Sequence, residues 1–453
     1  MNSNPFKNLF KVDGSYWLLV LPVLHVTVPW VQYRLRAVIP FAFTMMWLLP
    51  KVSKITAKLN TREGRAFFKV LFWFMFLMFM PELFAVIGSQ EHMKYYQIAT
   101  ISISVIFLVV AFYTIAYRKF NELRFLTVGT IGGFILSGVV AVRGLGVEGL
   151  ESGRTMVSIQ NAGHMISQEN IDAAMNVVEY GLGGYSYMYA CAWIVGIAMF
   201  AFALAKDMKL KTFYAAMVLC TLVSVKMGGL GTPLGIVAIE TMIFLVWMAT
   251  RRSRKIVAIC GYGLIILFFV YASIPQTFGF LVTPFESLAE TMSEGSFKDR
   301  VVSLAQAFRG EESYASGRAQ LQMKSFRTFC RHPFFGTFGP FVGGTQLDLG
   351  GHSYLLDILG GYGLFGLFVF IMFIWSLLKY FRVLGQMYFG NRWLVLPVFF
   401  LSVFVFSAIM NPVPFFTNAV YMLPGIAWLS LTPQERDVLY WRIGQMGWRP
   451  NQY

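Results

Sequence analysis

The chain alternates between long apolar runs and short polar connections, and this alternation organises most of its 453 residues. A helical run of about 20 apolar residues, rising ~1.5 Å per residue, matches the ~30 Å hydrocarbon layer of a bilayer. Twelve spans are predicted, at 16–33, 36–50, 67–88, 97–117, 124–142, 185–205, 211–227, 230–249, 256–274, 352–378, 393–410 and 414–431. The first two are short and carry Pro22, Pro29 and Pro40, which predicts kinks. Asn411-Pro412-Val413-Pro414 reads as a tight turn that divides one apolar stretch into two helices. Two connections are long, 143–184 and 275–351. Within the second, Val301, Leu304, Ala305 and Phe308 repeat at helical spacing over 297–309. Over 317–331, Lys324, Arg327 and Arg331 share one helical face, with Leu321, Phe326 and Phe329 on the other. Both segments are expected to be amphipathic helices lying along the bilayer surface.

The pattern predicts an all-α polytopic membrane protein in four parts. Residues 1–274 carry nine spans and the 143–184 loop, 275–351 form a large loop, 352–431 carry three more spans, and 432–453 are a tail. Composition agrees: 57% of residues are hydrophobic and only 13% charged, about half the charged share of a soluble protein. No cleavable leader is expected, because no small-residue cleavage site follows the first apolar run.

Charge orients the spans. The formal net charge of +15 does not imply nucleic acid, because most of it lies in short connections. Lys51, Lys54, Lys58, Arg62, Arg65 and Lys69 follow span two, and Arg118, Lys119 and Arg124 follow span four. Lys206, Lys209 and Lys211 follow span six, Arg251, Arg252, Arg254 and Lys255 span eight, and Lys379, Arg382 and Arg392 span ten. The positive-inside rule assigns these exits, and both termini, to the cytoplasm. The two long loops then face outward, which predicts a multi-pass membrane protein. Cys191, Cys220, Cys260 and Cys330 have neither metal-site nor redox-pair spacing and are expected to pack as small apolar residues.

The chemistry concentrates where the large loop meets span ten, in Gly350-Gly351-His352-Ser353-Tyr354-Leu355-Leu356-Asp357-Ile358-Leu359-Gly360-Gly361-Tyr362-Gly363-Leu364-Phe365-Gly366. A histidine at the foot of an apolar helix can stay neutral near pH 7 and accept a proton. It can equally cap the helix or anchor it at the interface. Glycines at 360, 361, 363 and 366 admit another backbone or a bulky ligand close to the helix. Upstream lie Ala315-Ser316-Gly317-Arg318 and Arg331-His332-Pro333-Phe334-Phe335-Gly336.

This ordered set resembles the O-antigen ligase and polymerase family, the Wzy/WaaL-type membrane glycosyltransferases. Its features there are a Ser-Gly-Arg segment, a Pro-φ-φ-Gly turn, and a His-Asn/Ser followed by Leu and Gly at helical spacing. The resemblance implies a GT-C-like membrane fold and transfer of glycan from an undecaprenyl-diphosphate carrier, with no metal or other cofactor. A diphosphate is already a good leaving group, so such a transfer needs cations to hold it and a base for the acceptor hydroxyl. His352 is the candidate base. Arg318 is the candidate diphosphate clamp, or a solvated arginine at a helix start. Lys226, in Ser224-Val225-Lys226-Met227-Gly228-Gly229, stands where the family has an arginine. It can neutralise phosphate as a point charge or snorkel to the interface.

Arg327, Asp357 and Glu240 are further candidates for substrate contact. Each also has a structural reading: a headgroup contact for Arg327, a loop-facing carboxylate for Asp357, and a pair within the bundle for Glu240. His25, His92, His164 and His332 read as structural or interfacial, and Arg143 and Arg154 as solvated.

The expected function is a repeat-unit polymerase joining lipid-linked glycans at the outer membrane face, with a possible chain-length regulator as partner. A ligase delivering finished glycan to a lipid A-core is the alternative within the family. A transporter or flippase of lipid-linked oligosaccharide is the alternative outside it. Paired halves and midplane charges, the usual marks of transporters, are not visible apart from Glu240.

Overall fold

The computed structural model describes residues 6, 8–35, 37–88, 95–144, 177–228, 231–250, 253–273, 279–291, 298, 301–302, 305–306, 309, 314–337, 349–351, 353–411, 417–432 and 434–439. Every regular element among them is helical, and nine helical units are long and apolar enough to cross a membrane. The chain is therefore a polytopic helical membrane protein.

Prolines shape its beginning. The first predicted span breaks into a 3-10 turn at Gly14–Leu19, α1 (Val20–Thr27) and α2 (Pro29–Arg34). Val28 between the helices is extended, with φ −126° and ψ 105°, because the ring of Pro29 disfavours helical backbone in the residue before it. Pro40 instead sits in the first turn of α3 (Val38–Leu48), where its missing N–H has no helical partner to lose. α3 continues through a 3-10 turn into α4 (Val52–Lys58), and together they form a 21-residue spanning unit.

The helices that follow agree with the predicted spans to within a few residues: α5 (Arg62–Gly88), α6 (Tyr95–Ala116), α7 (Phe120–Val142), α8 (Tyr185–Leu204), α9 (Met208–Met227) and α10 (Gly231–Ala249). After α11 (Arg254–Ser273) come two loop helices, α12 (Val282–Glu290) and α13 (Tyr314–Arg331). α14 (Tyr354–Leu384), α15 (Val395–Met410) and α16 (Ala419–Ser430) complete the bundle.

The predicted count of twelve is thus higher than the nine spanning units of the described residues. The first predicted span is the broken α1–α2 segment. The ninth corresponds to α11, whose side chains are described only as far as Leu267. The twelfth is α16, whose 12 residues extend about 18 Å, too short for a ~30 Å hydrocarbon layer.

α8 is the central helix, with 83% of its spanning window buried. Its small residues Ala190, Ala192, Gly196, Ala198 and Ala201 let neighbours approach closely, the usual basis of helix packing in a membrane. α14 packs along α5 through aromatic pairs, Phe74–Phe373 at 5.5 Å and Phe67–Tyr380 at 5.9 Å between ring centroids. The basic exits gather at one end of the bundle. Tyr117 donates to the Lys54 carbonyl at 2.9 Å, Arg62 to Gln386 at 2.7 Å, and Lys119 pairs with Asp13 at 3.1 Å. Predicted spans two, four and ten therefore end together, as their shared charge requires.

Candidate active site

The candidate site lies at the opposite end, where α13 meets the start of α14. His352 itself lies outside the described residues, but Gly351 and Ser353 on either side of it are described. Ser353 is the N-cap of α14, and its Oγ accepts from the Leu356 N–H at 3.2 Å. Such a cap satisfies a backbone donor that the helix cannot satisfy itself.

Asp357 completes this arrangement. It is 4% exposed and binds groups on both sides of position 352. Its Oδ1 accepts from the Gly351 N–H at 3.2 Å, and its Oδ2 from the Ser353 N–H at 3.3 Å. Ser325 of α13, fully buried, donates its hydroxyl to Asp357 Oδ1 at 2.5 Å. The Ser325 Oγ in turn accepts from the Gly350 N–H at 2.8 Å. One carboxylate and one hydroxyl thus hold the backbone at 350, 351 and 353 against α13. The position of Asp357 in the first turn, near the positive end of the helix, favours its charge. Both oxygens of Asp357 thus accept from protein donors, so this carboxylate, a candidate for substrate contact, also positions the backbone around 352.

A second device fixes the same two helices. Gly363 interrupts α14 with φ 64° and ψ −155°, a left-handed backbone that costs glycine no Cβ clash. The break displaces two backbone donors of α14, and the turn after α13 satisfies them. The Leu364 N–H donates to the Pro333 carbonyl at 2.7 Å and the Phe365 N–H to Phe334 at 3.1 Å. In return, the Thr337 N–H donates to the Gly360 carbonyl at 3.2 Å. A methyl group added at Gly336 would stand 2.2 Å from the carbonyl carbon of Gly361. The glycines of α14 thus admit a backbone, as their spacing predicts, and that backbone is the Pro333–Gly336 turn.

α13 carries the candidate cations. Lys324 is half-buried and Arg327 and Arg331 are exposed, so the predicted charged face stands. The opposite face needs correction. Ser325 and Thr328 are buried there, whereas Phe326 is 43% exposed. The packed stripe is Leu321, Ser325 and Thr328, because the close backbone of Gly350 and Gly360 leaves room only for small groups. Arg318 lies in the backbone of α13 two turns before Ser325, with its side chain outside the described residues. Arg327 has no hydrogen-bond or ion-pair partner among the described residues. In the other predicted amphipathic segment Val301 and Ala305 are buried, while Leu304 and Phe308 lie outside the described residues. α12 was not predicted; it is tied to that segment by Arg309–Glu286 at 2.6 Å.

Two candidates sit elsewhere. Lys226 is exposed in the last turn of α9, with no hydrogen-bond or ion-pair partner among the described residues. Just beyond it, Gly228 packs on Met188 near the start of α8. Glu240 is fully buried, and its Oε2 accepts from the Gly196 N–H of α8 at 3.0 Å. Its Oε1 has no partner among the described residues. Glu240 is thus held inside the helix packing by one backbone donor.

Ser325 and Ser353 are the site residues that sequence reading missed. The spacing of Ser353 and Asp357 is a variant of the capping box and was a legible signal. Ser325 had none, since its role depends on a partner 32 residues away. Among the described residues no three His, Cys, Asp or Glu side chains are grouped to hold a metal ion. Neither a scan against protein-family models nor a search of curated proteins finds a match for this chain.

Proposed function

We propose that this protein is a membrane glycosyltransferase that polymerises repeat units of a lipid-linked glycan, taking its donor from an undecaprenyl-diphosphate carrier. The observation that carries the reading is the Ser325–Asp357 bonding set, which holds the backbone on both sides of His352 against α13. A buried carboxylate spent on fixing a single loop position makes sense when the side chain at that position must be aimed. The arginines of α13 are on the same helix, so base and cations share one support. This support also favours catalysis over transport, because it lies at one end of the bundle.

In this reading His352 takes the proton from an acceptor hydroxyl as its oxygen attacks the anomeric carbon of the donor. The bond from that carbon to the diphosphate oxygen breaks, and the diphosphate leaves with its electron pair. Arg318 and Lys226 neutralise the charge that develops there. With one base and a single displacement, the anomeric configuration inverts. The site then faces outward in a GT-C-like membrane domain, with both termini cytoplasmic.

The test is a glycan profile from a deletion strain complemented with wild-type protein or with His352→Ala. Single repeat units alone in the mutant support the polymerase. Full-length lipid-linked chains that are not transferred onward point to a ligase. A normal profile removes His352 from the chemistry.

A further inference from the structure

The end of the bundle that holds Ser353 also contains a cavity of about 160 Å³. Cavities near 150 Å³ accommodate a six-membered ring. His25 in the last turn of α1 and Asn418 just before α16 line it, 7% and 1% exposed. Neither Nδ1 of His25 nor Nδ2 of Asn418 has a hydrogen-bond partner among the described residues. Ser104 of α6 and Gln32 of α2 add further polar groups, and Trp193 of α8 an aromatic wall. The described residues lining the cavity include no lysine, arginine, aspartate or glutamate.

This chemistry selects among occupants. A diphosphate would lie there without a countercharge, which is costly away from water. An apolar chain would leave His25 and Asn418 unsatisfied. A neutral ring bearing hydroxyls answers both needs, with its hydroxyls on the polar groups and its C–H face on aromatic carbon. The candidate site and the cavity are linked along the chain. The Tyr354 N–H donates to the Asn411 carbonyl at 3.2 Å, and Asn411 is only seven residues before Asn418 in the chain.

We infer that this cavity is a binding subsite for a neutral sugar ring, separate from the cations assigned to the diphosphate. That the sugar belongs to a glycan substrate rests on the transferase reading; the binding itself does not. Saturation-transfer NMR on the full-length protein in nanodiscs tests it, with the methyl glycosides of glucose, galactose, mannose and N-acetylglucosamine as probes. At least one glycoside is expected to receive saturation from the wild type. Ser104→Trp, which fills the cavity, weakens that binding by roughly tenfold or more, as losing one or two hydrogen bonds would. Asn418→Leu is the second variant, with thermal melting to confirm that each is folded. No transfer to any glycoside, or equal transfer with the cavity filled, overturns the subsite. Elongation of a lipid-linked glycan, measured on the same preparations, separates the two claims. A wild type that binds glycosides in the cavity yet never elongates sinks the transferase reading and leaves the subsite standing.

Discussion

Asp357 is stabilised as a buried carboxylate by two backbone N–H groups and the Ser325 hydroxyl. Asp357→Asn places an amide nitrogen against those donors, with an expected cost of about 1–3 kcal/mol in stability. If Asp357 aims His352 for the proposed transfer, its effect on elongation should fall on kcat rather than KM. An unchanged kcat in a folded variant contradicts that positioning role. Asp13, at the opposite end of the bundle, provides a comparison remote from the site. The Ser15 backbone N–H holds its pKa down to about 2, burial opposes this, and Lys119 adds to the lowering. A depressed pKa contributes stability fully above the ordinary carboxylate value, and the contribution is lost as pH falls through about 2. Asp13 is 43% exposed, so the contribution is below about 1 kcal/mol. Asp13→Asn should lower the melting temperature by no more than about 2 °C at pH 7 and leave activity intact, and the difference should close toward pH 2. Single residues were only partly legible in the sequence. Asp357 and the segment around it stood out, but its role did not, because two of its partners are backbone groups and the third lies on another helix.

The turn after α13 and the break in α14 are complementary halves of one joint. Two glycines with similar backbone angles separate its sources of strain. Gly351 has φ 68° and no described atom within 4 Å of a would-be Cβ, whereas Gly336 has φ 63° and the Gly361 backbone 2.2 Å away. Gly351→Ala should therefore cost only the left-handed penalty of about 1–2 kcal/mol. Gly336→Ala must in addition push the turn off α14, so it should melt at a clearly lower temperature and lose activity. Equal melting temperatures would show that the joint is looser than its geometry. At this scale the sequence was more informative. Most helices followed from apolar run length, and Pro29 marked its break correctly. α16 was overestimated because hydropathy continues past the prolines near Asn411, whereas helix length does not. The apolar face assigned to α13 was wrong in part, because close backbone contact selected Ser325 and Thr328 over phenylalanine.

The whole molecule divides into a basic end and a candidate catalytic end, and the charge pattern of the connections made that division legible. Lys226 belongs to the second end through the contact of Gly228 with Met188. If it neutralises the leaving diphosphate, Lys226→Ala should reduce elongation by about ten- to a hundredfold, and Lys226→Arg should restore most of it. A fully active alanine variant would return Lys226 to an interfacial role. The chemistry proposed for this end turns on the side chain at position 352. The most direct measurement is elongation of a lipid-linked repeat unit by the purified protein in detergent, comparing wild type with His352→Ala on a gel ladder. A ladder of products is expected from the wild type and only the starting unit from the variant. A ladder of equal length and rate from His352→Ala would remove that side chain from the chemistry.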